Sequence, residues 1–562
     1  MQRIWNINKP NRELEEGLCR NLGISAVLAR LLVNRGVKDI EEAERFLNPS
    51  ITSLFDPYLL PDMPKAVERL RKAIKSEEKV LLFGDYDVDG LTALALLEPQ
   101  LTKLGLKVLH YIPHRVKEGY GLSKGSIDFA RQHKVDLILT VDCGISNIKE
   151  IEELKKRGID VIVTDHHKVA GDRLPACVAL IDPKRSDSHY PYKDLAGVGV
   201  AYKLAQCIIE EPLEDELDLV LLGTVADMVP LTGENRILVK KGLERLNQSR
   251  RPGLKALLEA SGLKSKNIST TSISYVIAPR INASGRVDSA YSSLELLLTR
   301  SDDRAKDLAL ILSKHNQERQ KIEKQIMDEA QGLISKEVNF KEHNVIVVAK
   351  EGWHRGVLGI VASKIMDRFY RPTIVISVSE GLCKGSCRSI KNFHIFDALW
   401  DSRDLLESFG GHGHAAGLTI TRGNLEEFKK RINHVAKKTM LLEDLIPILD
   451  VDMELSLGQI SQDLIEDIRR LEPNGSGNPK ALFYTRGLKL KGQPQIMARD
   501  TLKFWCTDGK FTYPAVGFGM GYLCETLRDC ATFDLIYRPS EDNWQDRFNL
   551  QLEIEDIRLF RN

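Results

Sequence analysis

The segment VLLFGDYDVDGLTALALL (80–97) determines how the first half of the chain folds, because it joins an unbroken apolar run to a helical pattern through three aspartates. Unbroken Val, Ile and Leu runs are typical of strands buried on both faces of a parallel sheet. The first four such runs begin about 25–30 residues apart, the length of a strand–helix–strand unit. We therefore predict a doubly wound α/β domain with a mostly parallel sheet. The runs after the first are LKVLHYIPHR (106–115), VDLILTVDCG (135–144), IDVIVTDHH (159–167) and VALIDP (178–183).

Acidic and imidazole side chains follow these runs. They are Asp85, Asp87, Asp89, Asp142, Asp165, His166, His167 and Asp182, and Asp227 follows a later apolar run within LVLLGTVADMVPL (219–231). Ligands bind beyond the carboxyl ends of strands in an open parallel sheet, so we expect these groups to converge. Crowded carboxylates repel each other and need a cation to coexist, and carboxylates mixed with imidazole favour Mn²⁺ or Mg²⁺ over zinc. The alternative is a set of separate turn and capping acids.

The composition is that of a folded protein with several domains. The chain has 562 residues, of which 43% are hydrophobic and 28% are charged, and this excludes disorder of the whole chain. No apolar run approaches the ~18 residues of a membrane helix, and the first residues lack the apolar core of an export signal. Nine cysteines without a C-x-x-C pair exclude a zinc knuckle and a disulfide framework. We therefore expect a cytoplasmic protein that does not contact membranes.

Charge is balanced overall but not locally. The 80 Lys and Arg residues exceed the 79 Asp and Glu residues by one. The stretches 371–391 and 486–503 carry local charges of +3 and +4. The second stretch leads into aromatic residues on predicted strands: Phe504, Trp505, Phe511 and Tyr513. Basic and aromatic residues together can form a platform for single-stranded nucleic acid, although solvated faces and barrel core explain them equally.

Beyond the first domain, the pattern predicts a long helix and two smaller units. Residues 301–337 contain no Pro and begin with Ser301 before two acids, so they predict one helix of about 55 Å that bridges two domains. Strands and glycine-rich segments follow it, and from about residue 447 the pattern becomes β-rich and indicates a small barrel. In the first crossover helix, Pro99 is expected to interrupt the helix.

Several motifs together resemble a known superfamily. Asp165-His166-His167, with DYDVDG (85–90) and VDCG (141–144) before it, resembles the DHH phosphoesterase superfamily. Other segments resemble, in order and spacing, the RecJ family of bacterial single-strand-specific exonucleases, over residues 20–560. These segments are EGYGL (118–122), AGVGVAYKLA (196–205), APRINASGR (278–286), GWHRGVLGIVASK (352–364), GSCRS (385–389), FGGHGHAAG (409–417) and LEPNGSGNPKALF (471–483).

The resemblance implies a division of the chain into five parts. A catalytic α/β domain and a smaller phosphate-binding α/β domain are joined by the long helix, and the barrel is OB-like and binds nucleic acid. The parts are an N-terminal segment (1–50), the catalytic domain (51–300), the connecting helix (301–337), the second α/β domain (338–445) and the OB-like domain (446–562).

The resemblance also implies a metal centre. Five residues become ligands of two divalent ions, Mn²⁺ or Mg²⁺: Asp87, Asp89, Asp142, His166 and Asp227. Asp142 is the natural bridge between the ions, and Asp85 either binds an ion or holds a ligand in place. Two ions about 3.5–4 Å apart can activate a water and stabilise both oxygens of an in-line displacement at phosphorus. His167 would bind the phosphate or leaving oxygen, or else have a structural role, while Asp165 orients the neighbouring imidazole.

Substrate contacts are expected mainly from the second α/β domain. Residues 385–389 are interpreted as a small-residue loop that binds an anion through backbone N–H groups, Ser386, Arg388 and Ser389. Residues 410–412 are interpreted as a similar loop with His412 as a donor. The resemblance adds four residues that hold the 5′-terminal phosphate and the next phosphates: Arg115, Arg280, Asn282 and Arg286. In the alternative, the glycines only form turns and the arginines pair with nearby acids.

Together these inferences imply a metal-dependent exonuclease that degrades single-stranded DNA from 5′ to 3′ into 5′-mononucleotides, in recombination and repair. Polarity and DNA preference come from the resemblance, since the residues alone give only a metal-dependent phosphoester hydrolase. One alternative is a family relative that degrades short RNA or dephosphorylates nucleotides, and another is a non-catalytic replication scaffold. The resemblance implies a monomer, with a single-strand binding protein and a RecQ-type helicase as partners.

Overall fold

A computed structural model of the protein describes residues 3–560 except residues 116, 169–172, 211–212, 265–266 and 543–548. Two α/β domains and a C-terminal unit each enclose a hydrophobic core of their own. Among the helices described, none has both the length and the apolar character that crossing a membrane requires.

The N-terminal segment belongs to the C-terminal unit. Its elements are β1 (Ile4–Ile7), α1 (Arg12–Leu22), α2 (Ala26–Asn34) and α3 (Ile40–Leu47). Leu28 and Phe46 pack in one cluster with Leu457 and Phe504, and β1 pairs in parallel with residues 448–451. The segment predicted as separate thus shares a core with the barrel at the other end of the chain.

The first α/β domain contains the predicted parallel sheet. It begins with α4 (Met63–Lys75), and its strands are β2 (Lys79–Gly84), β3 (Lys107–Tyr111), β4 (Leu137–Val141), β5 (Asp160–Thr164) and β6 (Ala179–Ile181). The sheet order is β3-β2-β4-β5-β6, and all its strands are parallel. The chain adds β3 on one side of β2 and the later strands on the other, so the strand order reverses between β2 and β4. One face is covered by α5 (Val88–Lys103), and the other by α6 (Lys124–Gln132) and α7 (Ile148–Lys156). The prediction of a doubly wound fold is confirmed.

More helices complete this domain: α8 (Gly197–Ile209), α9 (Leu217–Ala226), α10 (Gly233–Leu246), α11 (Pro252–Ala260), α12 (Thr270–Ser272), α13 (Ala278–Val287) and α14 (Tyr291–Leu298). The expected break at Pro99 is wrong, because α5 continues through it to Lys103. Burial of Gln100 and Leu101 beyond the proline keeps this last turn in the core. The apolar run before Asp227 is the buried helix α9, since an unbroken apolar run suits a buried helix as well as a strand.

The long helix and the second α/β domain follow. Helix α15 (Asp302–Glu337) is single and uninterrupted, as predicted, and Ser301 caps it by accepting a hydrogen bond from Arg304 N. The domain consists of β7 (Ile346–Glu351), α16 (Leu358–Phe369), β8 (Thr373–Val378), β9 (Leu382–Arg388), α17 (Ile395–Trp400), β10 (Leu406–His412), β11 (Ala415–Thr421) and α18 (Leu425–Thr439). Its sheet has the order β10-β11-β9-β8-β7.

The two predicted phosphate loops are strands. Residues 385–388 lie in β9, between β8 and β11, and residues 410–412 end β10. Because the backbone N–H groups of β9 are taken up by the pairing with its neighbours, they are not free to form an anion-binding loop. At β9, any contact with an anion therefore has to come from side chains on the face of the sheet, whereas β10 is the edge strand and pairs only with β11.

The C-terminal unit is a barrel, as predicted. Its elements are β12 (Ile448–Val451), β13 (Met453–Glu454), α19 (Gln462–Arg470), β14 (Phe483–Met497), β15 (Thr501–Thr507), β16 (Thr512–Gly517), α20 (Cys524–Arg528), β17 (Thr532–Asp542) and β18 (Asn549–Phe560). Strand β14 pairs with both β15 and β17, and this closes five strands into a barrel. Phe504 lies in the core, whereas Trp505 and Phe511 are 50% and 45% exposed.

Candidate active site

The predicted acids meet where the sheet order reverses, the position at which such sheets bind ligands. Asp85 and Asp142 directly follow the neighbouring strands β2 and β4. Asp87 caps helix α5 by accepting hydrogen bonds from the backbone N–H groups of Asp89 and Gly90. We use the name metal edge for six residues: Asp85, Asp87, Asp89, Asp142, His166 and Asp227.

Distances at the metal edge are those of side chains that could share a cation. His166 Nε2 lies 3.1 Å from Asp142 Oδ1, 3.6 Å from Asp227 Oδ2 and 3.8 Å from Asp89 Oδ2. Three groups of residues offer ligand atoms within 4.8 Å of one another: Asp142, His166 and His167; Asp89, His166 and Asp227; Asp85, Asp87 and Asp142. The structure thus brings all five predicted metal ligands together.

Four carboxyl groups of the metal edge disfavour ionisation in the absence of a cation, those of Asp85, Asp89, Asp142 and Asp227. Burial, followed by the charges of Asp89, Asp87 and other neighbours, holds the pKa of Asp142 well above its ordinary value. Burial and the charge of Asp87 raise the pKa of Asp89 to about 7, even though Gly197 N and Val198 N hydrogen-bond to it. The pKa values of Asp85 and Asp227 are likewise raised by burial first and by neighbouring carboxylates second.

Unsatisfied atoms indicate that a metal fits this site. Among the described residues, Asp85 Oδ1, Asp142 Oδ1 and both ring nitrogens of His166 are buried without a hydrogen-bond partner. Such atoms are costly unless something else binds them. Burial and the charge of His167 lower the pKa of His166 to about 3, so the imidazole is neutral, the form that binds metals. Carboxylate oxygens with one imidazole suit Mn²⁺ or Mg²⁺.

Asp165 orients His167. Its Oδ1 lies 2.7 Å from His167 Nδ1 and accepts hydrogen bonds from the backbone N–H groups of His166 and His167. Burial alone would raise the pKa of Asp165, but the hydrogen bond and charge of His167 lower it to about 2. The same contacts overcome burial and raise the pKa of His167 to about 9. A cationic imidazole, 44% exposed, therefore lies beside the neutral one.

Two features of the metal edge were not assigned from the sequence. Gly197 N and Val198 N, at the start of α8, donate to the carboxylate of Asp89 at 2.6 and 2.8 Å. A Cβ on Gly197 would lie 2.7 Å from Asp142 Cβ, so only glycine allows the helix this close. The Tyr120 hydroxyl donates to Asp142 O and lies 3.0 Å from His167 Nδ1. Gly197 lies in the motif AGVGVAYKLA and Tyr120 in EGYGL. The glycines of these motifs are the sequence signal for close packing at the metal edge.

A cleft of about 530 Å³ separates the two α/β domains beside the metal edge. Basic side chains from both domains line it, Arg115 from the first and Arg355 and Lys384 from the second. The Arg115 guanidinium lies 4.6 Å from the ring centroid of Tyr86, which also lines the cleft. Ser386, predicted to bind substrate, lies on the opposite wall.

Arg388 adds positive charge beside the cleft, and the imidazole of His412 lies near Arg388. Arg388 Nη1 donates to Cys387 O at 2.8 Å and to Ser386 Oγ at 3.3 Å. Burial, with a further contribution from Arg115, lowers the pKa of Arg388. Burial also lowers the pKa of His412, and the charges of neighbours including Arg388 and His167 add to this effect. Arg115 of the first domain and Arg388 of the second thus bring positive charge from both domains to the cleft.

Two predicted substrate contacts are used inside the protein instead. Ser389 is buried, and its hydroxyl donates to Phe393 O at 2.6 Å, so it does not face the cleft as a free donor. Asn282 Oδ1 accepts a hydrogen bond from Val88 N at 3.1 Å, which fixes the start of α5 between Asp87 and Asp89. Asn282 therefore supports the metal edge.

The two arginines of α13 also make internal contacts. Arg280 Nη1 donates to Val276 O at 2.6 Å, and burial lowers the pKa of Arg280. Arg286 Nη1 donates to Gly356 O of the second domain at 3.0 Å, so it joins the two sides of the cleft. Burial, reinforced by Arg115 and Arg319, lowers the pKa of Arg286 to about 9.

The parallel sheet with its metal edge, opposite a smaller basic α/β domain, defines a phosphoesterase of the DHH class. Family models agree with this class: the DHH family N-terminal domain matches residues 79–224, the DHHA1 domain 342–438 and the RecJ OB domain 451–556. The chain belongs to the RecJ family. It is 38% identical to the single-stranded-DNA-specific exonuclease RecJ of Bacillus subtilis, over 98% of this chain and 70% of that one. The corresponding protein of Dickeya dadantii is 34% identical over 95% and 96%.

Solved structures give the same result. RecJ from Thermus thermophilus in complex with Mn²⁺ has a TM-score of 0.86 and 29% identity, and the match covers 100% of this chain and 80% of that chain. The same protein in complex with Mg²⁺ has a TM-score of 0.81 and 27% identity over 100% and 79%.

Proposed function

We propose that the protein is an exonuclease that degrades single-stranded DNA from 5′ to 3′ and releases 5′-mononucleotides, in recombination and repair. The observation that carries the proposal is the cleft beside the metal edge, which is lined by Arg115, Arg355 and Lys384 and has Arg388 hydrogen-bonded to Ser386 in its wall. An anionic end bound by these residues would place the next phosphate toward the carboxylates. The RecJ relatives, named as single-stranded-DNA-specific exonucleases, support the same substrate.

Five residues would hold the divalent ions, Mn²⁺ or Mg²⁺: Asp87, Asp89, Asp142, His166 and Asp227. Such ions, when bound, supply an activated water and stabilise negative charge at phosphorus. Asp85 lies within the same set of oxygens. Cationic His167, held by Asp165, would stabilise charge on the phosphate or on the leaving oxygen.

Recognition of a phosphorylated strand end follows from its charge. A terminal phosphate carries about one more negative charge near pH 7 than an internal phosphodiester. Arg388 offers a charged donor for that extra charge, while Ser386 and His412 offer neutral donors on the same sheet. If these three residues bind the terminal phosphate and the metal edge binds the next phosphate, each cycle removes one nucleotide.

The rival functions differ from this proposal in particular features. Family relatives that degrade short RNA or dephosphorylate nucleotides lack the barrel, whereas here Trp505 is exposed opposite Lys491 on paired strands. Exposed aromatic and basic residues favour the binding of a longer single strand. A non-catalytic scaffold would have no need of a complete ligand set, and this chain retains all five residues.

Removal of Arg388 is expected to abolish the preference for a 5′-phosphorylated end. Charge-assisted hydrogen bonds to arginine contribute about 1.5–3 kcal/mol, so Arg388→Ala should lower kcat/KM for 5′-phosphorylated single-stranded DNA about tenfold to a hundredfold. The value for the 5′-hydroxyl strand should change little. The measurement is the ratio of the two kcat/KM values, and it also tests the proposed function in the wild type.

The control is Arg422→Ala, which removes an exposed arginine of the same domain. This variant should keep the wild-type ratio. If the wild type prefers the phosphorylated end and Arg388→Ala keeps that preference, other residues recognise the end, and Arg115 is the next candidate.

Other aspects of the proposal concern the setting. We place the protein in the cytoplasm as a monomer, with a single-strand binding protein and a RecQ-type helicase as partners. The described cysteines are all unpaired, which agrees with a reducing compartment. We also propose domain boundaries near residues 50, 300, 337 and 445, with residues 3–50 packed in the C-terminal unit.

A further inference from the structure

Arg236 is a buried cation at the junction of the first α/β domain and the C-terminal unit. It lies on α10, is 2% exposed, and has no carboxylate partner among the residues that the structure describes. Burial lowers its pKa to about 10. A buried, unpaired charge destabilises a protein unless hydrogen bonds compensate for the lost water.

Backbone carbonyls of the C-terminal unit supply that compensation. The guanidinium donates to five carbonyl oxygens at 2.7–3.5 Å, those of Phe46, Arg470, Leu471, Glu472 and Pro473. Arg470 is the last residue of α19, so the cation also meets the negative end of a helix. The Arg236 guanidinium lies 3.7 Å from the ring centroid of Phe46. One side chain thus binds both the N-terminal segment and the barrel side of the unit.

The loop 471–478 makes more contacts around this cation. Leu231 N donates to Ser476 O at 2.7 Å, and the Thr270 hydroxyl donates to Asn474 O at 2.6 Å. A Cβ on Gly475 would lie 2.5 Å from Leu231 Cδ1, so the loop is in close contact with the first domain. We call these contacts and those of Arg236 the docking junction.

The docking junction is continuous with the metal edge. Asp227 directly follows α9, and residues 228–232 connect it to α10, which carries Arg236. Leu231, within this connection, hydrogen-bonds to the loop through its backbone N–H group. The same short segment therefore carries a predicted metal ligand at one end and the docking junction at the other.

We propose that Arg236 is a positioning residue that fixes the barrel relative to the metal edge, so that a long strand bound on the barrel is presented to the active site. The inference rests on the proposed exonuclease function. A long strand contacts both places at once and gains from their fixed spacing, whereas a very short strand contacts only the cleft.

The test compares substrates of two lengths. Arg236→Met should lower kcat/KM about tenfold for a single strand of about 30 nucleotides, longer than the ~16 that one OB fold covers, because fixed spacing raises avidity by about 10²–10⁴. For a strand of about 4 nucleotides, kcat/KM should stay within about twofold of the wild type. A purely structural defect would reduce both values by the same factor. Arg236→Lys keeps the charge but has fewer donors, so its kcat/KM for the long strand should lie between those of the wild type and Arg236→Met.

A second variant disrupts the docking junction from the C-terminal unit. Gly475→Leu should separate the loop from Leu231. It should reduce the ratio of kcat/KM for the long strand to kcat/KM for the short strand as Arg236→Met does, and it serves as the test if Arg236→Met does not fold. Gly17→Leu is the control, since a Cβ there meets nothing within 4 Å. An unchanged ratio in the folded variants, or a wild type that does not favour the long strand, overturns the inference. A wild type that degrades no DNA overturns the proposed function instead.

Discussion

Replacement of Asp142 by asparagine is expected to reduce turnover about 10³-fold or more, beyond the 10–100-fold typical of residues that only support a metal ligand. Asp142 belongs to two of the three ligand groups and lies 3.1 Å from His166 Nε2. Its backbone has a φ of +60°, in the left-handed region, and strain of this kind persists at functional sites where the surroundings enforce it. The measurement is kcat on single-stranded DNA with saturating Mn²⁺.

The same substitution should not destabilise the metal-free protein. Asparagine has the shape of aspartate but cannot ionise, so it removes the cost of burying a charge and the repulsion by neighbouring carboxylates, which together raise the pKa of Asp142. We expect an equal or higher melting temperature without metal. Asp303→Asn, on a side chain that is 96% exposed, is the control and should change neither quantity. An Asp142→Asn variant that keeps a tenth of wild-type turnover would remove this residue from the catalytic centre.

Metal removal should abolish activity and make stability depend on pH. In the metal-free protein the pKa of Asp89 is about 7, against an ordinary value of 3.8. Between these values the folded protein keeps a proton that the unfolded chain releases, so the stability of the metal-free protein falls as pH rises toward about 7. Metal binding requires the ionised carboxylate, so the apparent metal affinity rises over the same range.

The check is the melting temperature with and without excess Mn²⁺ at about pH 5.5 and about pH 8. The increase caused by Mn²⁺ should be clearly larger at the higher pH, and EDTA should remove both this increase and the nuclease activity. Asp89→Asn is the matched variant, and its increase should be small at both values. An equal increase at both pH values in the wild type would contradict the role of these carboxylates in metal binding.

The first domain could be predicted from the sequence because its signals are local. Each buried strand is an unbroken apolar run, and the acid after the run, such as Asp85 or Asp142, lies at the strand end by chain connectivity alone. Parallel topology then brings these ends to one edge. The long helix was also predictable, since its cap at Ser301 and its lack of proline are local features.

Other features depend on distant partners. The small residues of β9, Gly385 and Ser386, have low strand propensity and therefore predict a loop. In the structure, pairing with two neighbouring strands outweighs this propensity. The shared core of the N-terminal segment and the barrel joins the two ends of the chain. The roles of Ser389 and Asn282 also depend on partners that the sequence does not reveal. Both side chains could bind a phosphate, but in the structure they hydrogen-bond to backbone groups of Phe393 and Val88.

The central claim is tested most directly by digestion of one single-stranded DNA oligonucleotide that is labelled at either the 5′ or the 3′ end, with Mn²⁺ present. We expect the 5′ label to appear at once as a mononucleotide, while the 3′-labelled strand shortens progressively. The duplex and the RNA of the same sequence should remain intact, and EDTA should stop the reaction. Release of the 3′ label first, or equal digestion of duplex DNA or RNA, would contradict the account.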